Sequence, residues 1–233
     1  MKQFSKPIYS EEVARLIMKR IRNGNLKPGD VIREALLAEE CGISRAPVRE
    51  ALHYLESEGL LMSHQKRGKC VTILTPDVIR YNYELSALLE SETAAQVAES
   101  ITEDDQKKFL SIIEKMRAAI AAGKQYDEHA ELGSEFHKAI LDLSDNPLLR
   151  ALATRFSRVI SKFLLYQHWR TIYTPQELLD RHMRIYEALC SRDRERIRRV
   201  IREHYAESVE RLAGFCENGE KKTDRRRAHF PKE

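Results

Sequence analysis

"GISRAPVREALHYLESEGLLMSHQKRGKCV", residues 42–71, is the stretch on which the reading of this chain turns. Ser44 stands where a helix wants an N-cap, and Gly59 ends the run that follows. At about 100° per residue, Val48, Ala51, Leu52 and Leu55 fall on one side of that helix. Arg45, Ala46, Arg49 and His53 fall on another. The first set has neighbours to pack against, and the second faces outward. Two short apolar stretches then flank the tip Lys66-Arg67-Gly68-Lys69, which predicts a β-hairpin with a basic turn.

Upstream, a helix is expected from Tyr9-Ser10-Glu11-Glu12, with Val13, Ile17 and Ile21 one turn apart. Asn23-Gly24-Asn25 and Pro28-Gly29-Asp30 break it, and a short helix follows from about Glu34 to Cys41. Three helices and a hairpin form the order of a winged helix-turn-helix. In that arrangement the start of the second motif helix enters the major groove of DNA. Arginine there reads guanine O6 and N7, which discriminates bases by about 1–3 kcal/mol per pair. Ser44 is placed for a phosphate, and the cations of the hairpin tip suit a minor-groove or phosphate contact. Gly68 permits close approach of the backbone. The plainest reading of His53 is a surface histidine.

Thr75-Pro76 is the natural joint, since proline suits the first position of a new helix. Beyond it the pattern is helical throughout: 76–99, 103–122, 126–143, from Asn146-Pro147 to about Trp169, 175–190 and 193–215. Thr102-Glu-Asp-Asp105 and Thr174-Pro-Gln-Glu177 are capping boxes. The fold class is therefore mainly α, an N-terminal winged helix-turn-helix followed by a C-terminal antiparallel all-α bundle. The expected domains are 1–74 for DNA binding, 75–216 for ligand binding and dimerisation, and a basic, disordered tail, 217–233.

Charge supports the division. Residues 1–74 hold 13 lysines and arginines against 9 acidic residues, while the whole chain of 233 carries only +4. An acidic polymer is the partner expected for the front module alone. The four cysteines are scattered without metal or redox spacing, as in a reducing compartment. Residues 1–20 lack the apolar core of a signal peptide, and no apolar run is long enough to cross a bilayer. A cytoplasmic location is expected.

The front third resembles the DNA-binding domain of the GntR family of bacterial transcription regulators. The residues that carry the likeness are Gly24, Leu26, Pro28-Gly29-Asp30, Leu37-Ala38, Gly42, Ser44-Arg45, Pro47-Val48-Arg49-Glu50-Ala51-Leu52, Leu55, Gly59-Leu60, and Arg67-Gly68 before Val71. The resemblance implies that Ser44, Arg45, Arg49 and Gly68 lie at the DNA. Ala46 stands where relatives often carry threonine. The remainder is similar to the FCD-type ligand domain of the FadR subfamily, through Leu88-Leu89-Glu90, Phe136-His137, Asn146-Pro147, His182 and His204. A homodimer on an inverted-repeat operator, released or engaged by a small effector, is what this implies.

Read from the residues alone, His137, His182 and His204 occupy three different helices, and imidazoles on facing helices can converge inside a bundle. Neutral imidazole ligates Zn²⁺ or Ni²⁺. The FCD resemblance implies a metal set of three histidines and an aspartate four residues before the first, a position held here by Gly133. It also implies an arginine where this chain has Ser86. Tyr81, Tyr83, Ser86 and Glu90 are expected along the effector pocket. A metabolite regulator, most simply a repressor, using a bound metal is the leading expectation, with an organic acid as effector. A metal-free pocket, a direct metal-ion sensor and, remotely, a metal-dependent hydrolase stay open. No nucleophile elbow or HExxH pattern supports an enzyme.

Overall fold

The computed structural model describes residues 7–64, 68–159, 164 and 171–220. The chain divides into two compact units: Thr75 ends the first stretch of one and Pro76 opens the other, while Arg158, Val159 and Leu164 group with the first.

The first unit opens with α1 (Pro7–Arg22), whose buried Val13, Ile17 and Ile21 meet the apolar side of α3. A tight turn at Gly29, φ 87°, leads into β1 (Val31–Ile32). Then come α2 (Glu34–Cys41) and α3 (Arg45–Ser57). Gly42 joins them in the left-handed conformation that L side chains avoid, φ 65°, and its N–H caps the carbonyls of Ala38 and Glu39. Strands β2 (Leu61–His64) and β3 (Gly68–Val71) complete an antiparallel sheet in the order β1-β3-β2. Met62 opposes Cys70 and His64 opposes Gly68. Val48, Leu52, Leu55, Leu61 and Val71 fill the core beneath.

The second unit contains six helices among the described residues: α4 (Pro76–Gln96), α5 (Glu103–Ala121), α6 (Tyr126–Asp142), α7 (Pro147–Val159), α8 (Pro175–Ser191) and α9 (Arg194–Glu220). Both capping boxes form as the sequence predicts, at Thr102 with Asp105 and at Thr174 with Glu177. The first and last helices, α4 and α9, share the most extensive seam, and α6 and α8 pack on each other and on that pair. Phe109, Ile113, Phe136, Ile140, Ile185, Leu189, Ile197 and Ile201 are fully buried between them.

Two expectations are corrected. The last helix does not stop at 215: residues 217–220, expected as disordered tail, continue α9. The rest of that tail, with Trp169, lies outside the described residues. Tyr81, expected along the pocket, is 59% exposed and packs under the Arg80 guanidinium instead.

Candidate DNA-reading head and metal centre

Helix α3 presents the residues the sequence singles out. Ser44 occupies the N-cap with extended backbone, and its hydroxyl makes no cap hydrogen bond. Arg45, Ala46 and Arg49 are exposed on the outer face. The two arginines differ in a way that sequence spacing hides. Arg49 donates from Nε and Nη2 to the Glu34 carboxylate, at 3.1 and 2.7 Å, which leaves Nη1 for another acceptor. The same pairing lowers the Glu34 pKa. Arg45 makes no hydrogen bond or ion pair among the described residues, so its whole fork is available. Gly68 sits at the strand start with φ 82° and open space around it. Lys69 turns back onto Glu56 and Ser63, so its charge is already engaged. Lys66 and Arg67 lie outside the described residues.

In the second unit the three histidines meet. His137 of α6, His182 of α8 and His204 of α9 have ring centroids 4.9–5.2 Å apart. One nitrogen from each lies within 4.8 Å of the others. Two of those rings are sealed from solvent, and His182 Nε2 and His204 Nδ1 have no hydrogen-bond partner. A buried polar atom without a partner is costly, and two of them in one imidazole cluster call for a shared occupant. Burial foremost, then the charges of His137 and Arg181, lowers the His182 pKa to about 3. Burial also puts His204 well below its ordinary value. Neutral imidazoles with free lone pairs are the form a metal ion needs.

Orientation comes from a surrounding shell. The Leu178 carbonyl lies 2.6 Å from His182 Nδ1, which directs Nε2 inward. Glu90 of α4, 1% exposed, has Oε1 2.7 Å from His137 Nδ1, and its Oε2 accepts from the Tyr205 hydroxyl at 2.6 Å. Such carboxylate–imidazole pairs fix the tautomer and raise ligand basicity. Burial, and then the Glu90 charge, raises the Tyr205 pKa well above its ordinary value. Gly133 has a steric role: a Cβ there would sit 3.1 Å from His182 Cε1 and Nε2, so its absence makes room for the ring. Ser86 is buried and donates to the Asn82 carbonyl, and Tyr83 is buried edge-on to Tyr205. The donor set therefore fits a divalent ion: three imidazole nitrogens, with Glu90 behind one of them.

Sequence reading missed Glu34, Tyr205 and Arg181. Arg181 is 4% exposed, lying between Leu178 and Ile185 on the apolar side of α8. A charge on the apolar side of an amphipathic helix was the signal available for it.

A winged helix-turn-helix with exposed arginines on its second motif helix, followed by a helical unit with a buried polar centre, is the arrangement of a DNA-binding transcription regulator. Comparison with known proteins places it further. Residues 9–71 match the model of the bacterial regulatory proteins of the gntR family, and residues 82–207 match that of the FCD domain. The chain is 30% identical to the Glc operon transcriptional activator of Escherichia coli (strain K12), over 88% of each chain. It is 29% identical to the HTH-type transcriptional regulator YdhC of Bacillus subtilis (strain 168), over 87% of this chain and 90% of that one. The gluconate operon transcriptional repressor of the same strain is 27% identical, over 83% and 80%. Escherichia coli McbR/YncC shares the fold, with a TM-score of 0.69 at 23% identity, over 89% of this chain and 98% of that one. The chain belongs to the GntR family of bacterial transcription regulators, in the group whose second domain is FCD. Among the described residues no helix is long and apolar enough to cross a membrane.

Proposed function

We propose that this regulator is a homodimeric, cytoplasmic repressor whose FCD unit binds a small organic acid beside a zinc or nickel ion, and that binding alters operator affinity. The observation that carries the reading is that His182 Nε2 and His204 Nδ1 are sealed and partnerless in a cluster where each of the three imidazoles offers a nitrogen within 4.8 Å of the others. His137, His182 and His204 would hold the ion, which supplies a Lewis-acid position for an effector carboxylate. Glu90 holds the His137 ring, the Leu178 carbonyl holds the His182 ring, and Tyr83 and Ser86 line the near wall. Residues 1–74 form the reading module and the helices from Thr75 the sensing and dimerising one. Leu148 and Leu152, one turn apart and exposed on α7, give that unit an apolar stripe for a second copy.

At the DNA, Arg45 is the base reader, with Ser44, Ala46 and Gly68 against the backbone. Arg49, steadied by Glu34, offers Nη1 to a phosphate, and Lys66 and Arg67 extend the basic edge. Two such heads fit an inverted repeat. The sign of regulation follows the gluconate repressor, whereas the Glc operon relative is an activator; a reporter strain distinguishes the two.

The test selects an operator from genomic fragments and measures anisotropy at fixed salt. Arg45→Ala is expected to lose the preference for operator over scrambled DNA, with its oligomeric state intact. An unchanged preference refutes the assignment. Elemental analysis of untagged protein tests the metal: below about a tenth of an equivalent, unchanged by added zinc or nickel, the pocket is metal-free. Operator binding that responds to zinc alone identifies a metal sensor instead.

A further inference from the structure

We propose that Arg181 anchors an anion subsite beside the imidazole cluster, and that the group it takes is a carboxylate. The proposal rests on reading the FCD unit as the effector domain, and it names the residue that grips the effector.

Arg181 lies in the interior, with its guanidinium 4.1 Å from the centre of the Tyr173 ring. Nη2 donates to the His204 carbonyl and to Ser208 Oγ, the latter at 2.9 Å. Nε faces a Glu207 oxygen at 3.4 Å. Nη1 is sealed from solvent and has no hydrogen-bond partner. A guanidinium is a donor only, so a buried Nη1 needs an acceptor, and the strongest acceptor is an anion.

The nearest carboxylate is shared, and Nη1 is left without an acceptor. Glu207 stands at the rim and also pairs with Arg184 at 3.0 Å. Glu90 serves His137 and Tyr205. Beside Glu207, like charges also act on Arg181. Arg211 lies over the same Tyr173 ring at 4.3 Å, and both Arg184 and Arg211 act on Arg181. Burial lowers its pKa to about 10, so it remains a cation at neutral pH.

The His204 backbone that receives Nη2 also carries the imidazole whose Nδ1 lacks a partner. A cation at the imidazole nitrogens supplies no acceptor for Arg181 Nη1; an anion bound beside it supplies that acceptor and offsets the guanidinium charge. Nη2 is already occupied and the face of the guanidinium is covered by Tyr173, so one edge remains, suited to a carboxylate oxygen rather than to a tetrahedral dianion that needs several donors. Ser86 supplies no charge from α4, its hydroxyl being spent on Asn82. The cation for the effector comes from α8 instead.

The test uses full-length protein and sodium acetate, the smallest probe carrying the group. Binding is measured by isothermal titration at constant ionic strength, with sodium phosphate and neutral glycerol as the other arms. Wild type is expected to saturate with acetate at about 1:1, and phosphate to bind about tenfold more weakly. Arg181→Met, of similar length, is expected to weaken acetate binding at least about tenfold, with metal content and cooperative melting unchanged. Should that variant fail to fold, Arg181→Lys keeps the charge but loses the planar fork, and the same weakening is expected. Acetate binding that is absent from folded wild type, unchanged in the variants, or weaker than that of phosphate overturns the subsite. If a neutral polyol shifts operator affinity while acetate does not bind, the anion subsite fails and the effector-domain reading stands.

Discussion

Replacing Glu90 by glutamine is expected to weaken metal binding about tenfold while leaving the metal-free fold intact. The substitution is almost isosteric. Glutamine can keep both contacts of the carboxylate, its carbonyl toward His137 Nδ1, now 2.7 Å from Oε1, and its amide toward the Tyr205 oxygen, now 2.6 Å from Oε2. What disappears is the negative charge behind the imidazole. Charge-assisted hydrogen bonds are about twice as strong as neutral ones, and loss of a supporting carboxylate costs a metal site about 10–100-fold in affinity. Because the hydrogen bonds survive, the lower end applies, about 1.4 kcal/mol. Gly133 supplies no anionic ligand to mask the loss. Folding of the metal-free protein is not expected to suffer, since the buried charge no longer has to be desolvated. The assay is a competition titration of zinc against a fluorescent chelator at pH 7, paired with denaturant unfolding in excess chelator. A zinc affinity within twofold of wild type would refute the reasoning. So would an equal loss in the metal-free stability, which would make Glu90 a structural residue only.

Arg49→Ala is expected to weaken binding about equally on operator and random DNA and to lower the salt slope by about one, because Glu34 leaves that arginine a phosphate contact; a change confined to one base position argues for base reading. Gly133→Ala sets a helix-propensity gain of up to about 1 kcal/mol against overpacking of about 1–3 kcal/mol at the His182 ring. A net loss near 1 kcal/mol is expected by thermal melting, and a more stable variant would contradict the contact at 3.1 Å. Acid should destabilise the metal-free FCD unit. With His182 at about 3 in the folded state and about 6.5 when unfolded, the unfolded chain binds the extra proton between those values. Its contribution is intact above pH 6.5 and falls by about 1.4 kcal/mol per unit below it, visible as a slope in urea midpoints from pH 6.5 to 4.5. His182→Phe should lower that slope by about 1.4 kcal/mol per unit, leaving the share that buried His204 contributes, and a slope retained in full places the titration elsewhere.

Much of this architecture was legible in the chain. Capping boxes at Thr102 and Thr174, the glycine at 42 and the period of Val13, Ile17 and Ile21 are local signals, written in consecutive residues. The convergence of His137, His182 and His204 was legible only as a possibility of the bundle, and the geometry now brings their rings together. Strand β1 was missed because two residues carry no periodicity. Glu34 was missed because its partner is fifteen residues away and meets it only once α2 and α3 are joined by their turn. Arg181 was missed for a related reason: beside a histidine it reads as polar surface, and only the packing of α8 on α9 and Tyr173 encloses it. Gly133 read as the loss of a ligand; in three dimensions it is also where α6 meets the His182 ring so closely that an added Cβ would lie 3.1 Å from it.

Helix α4 carries a further consequence. It starts at Pro76, a few residues past the last strand of the head, and runs without interruption to Glu90, which grips the His137 ring. At 1.5 Å per residue that is about 21 Å of stiff rod. A rod transmits a push along its length without loss, whereas a loop would absorb it. An ångström of travel imposed on Glu90 along the axis by whatever fills the pocket arrives at Pro76 as an ångström. Under the proposed effector reading, the carboxylate that steadies the His137 ring and the first residue after the reading module belong to one unbroken helix.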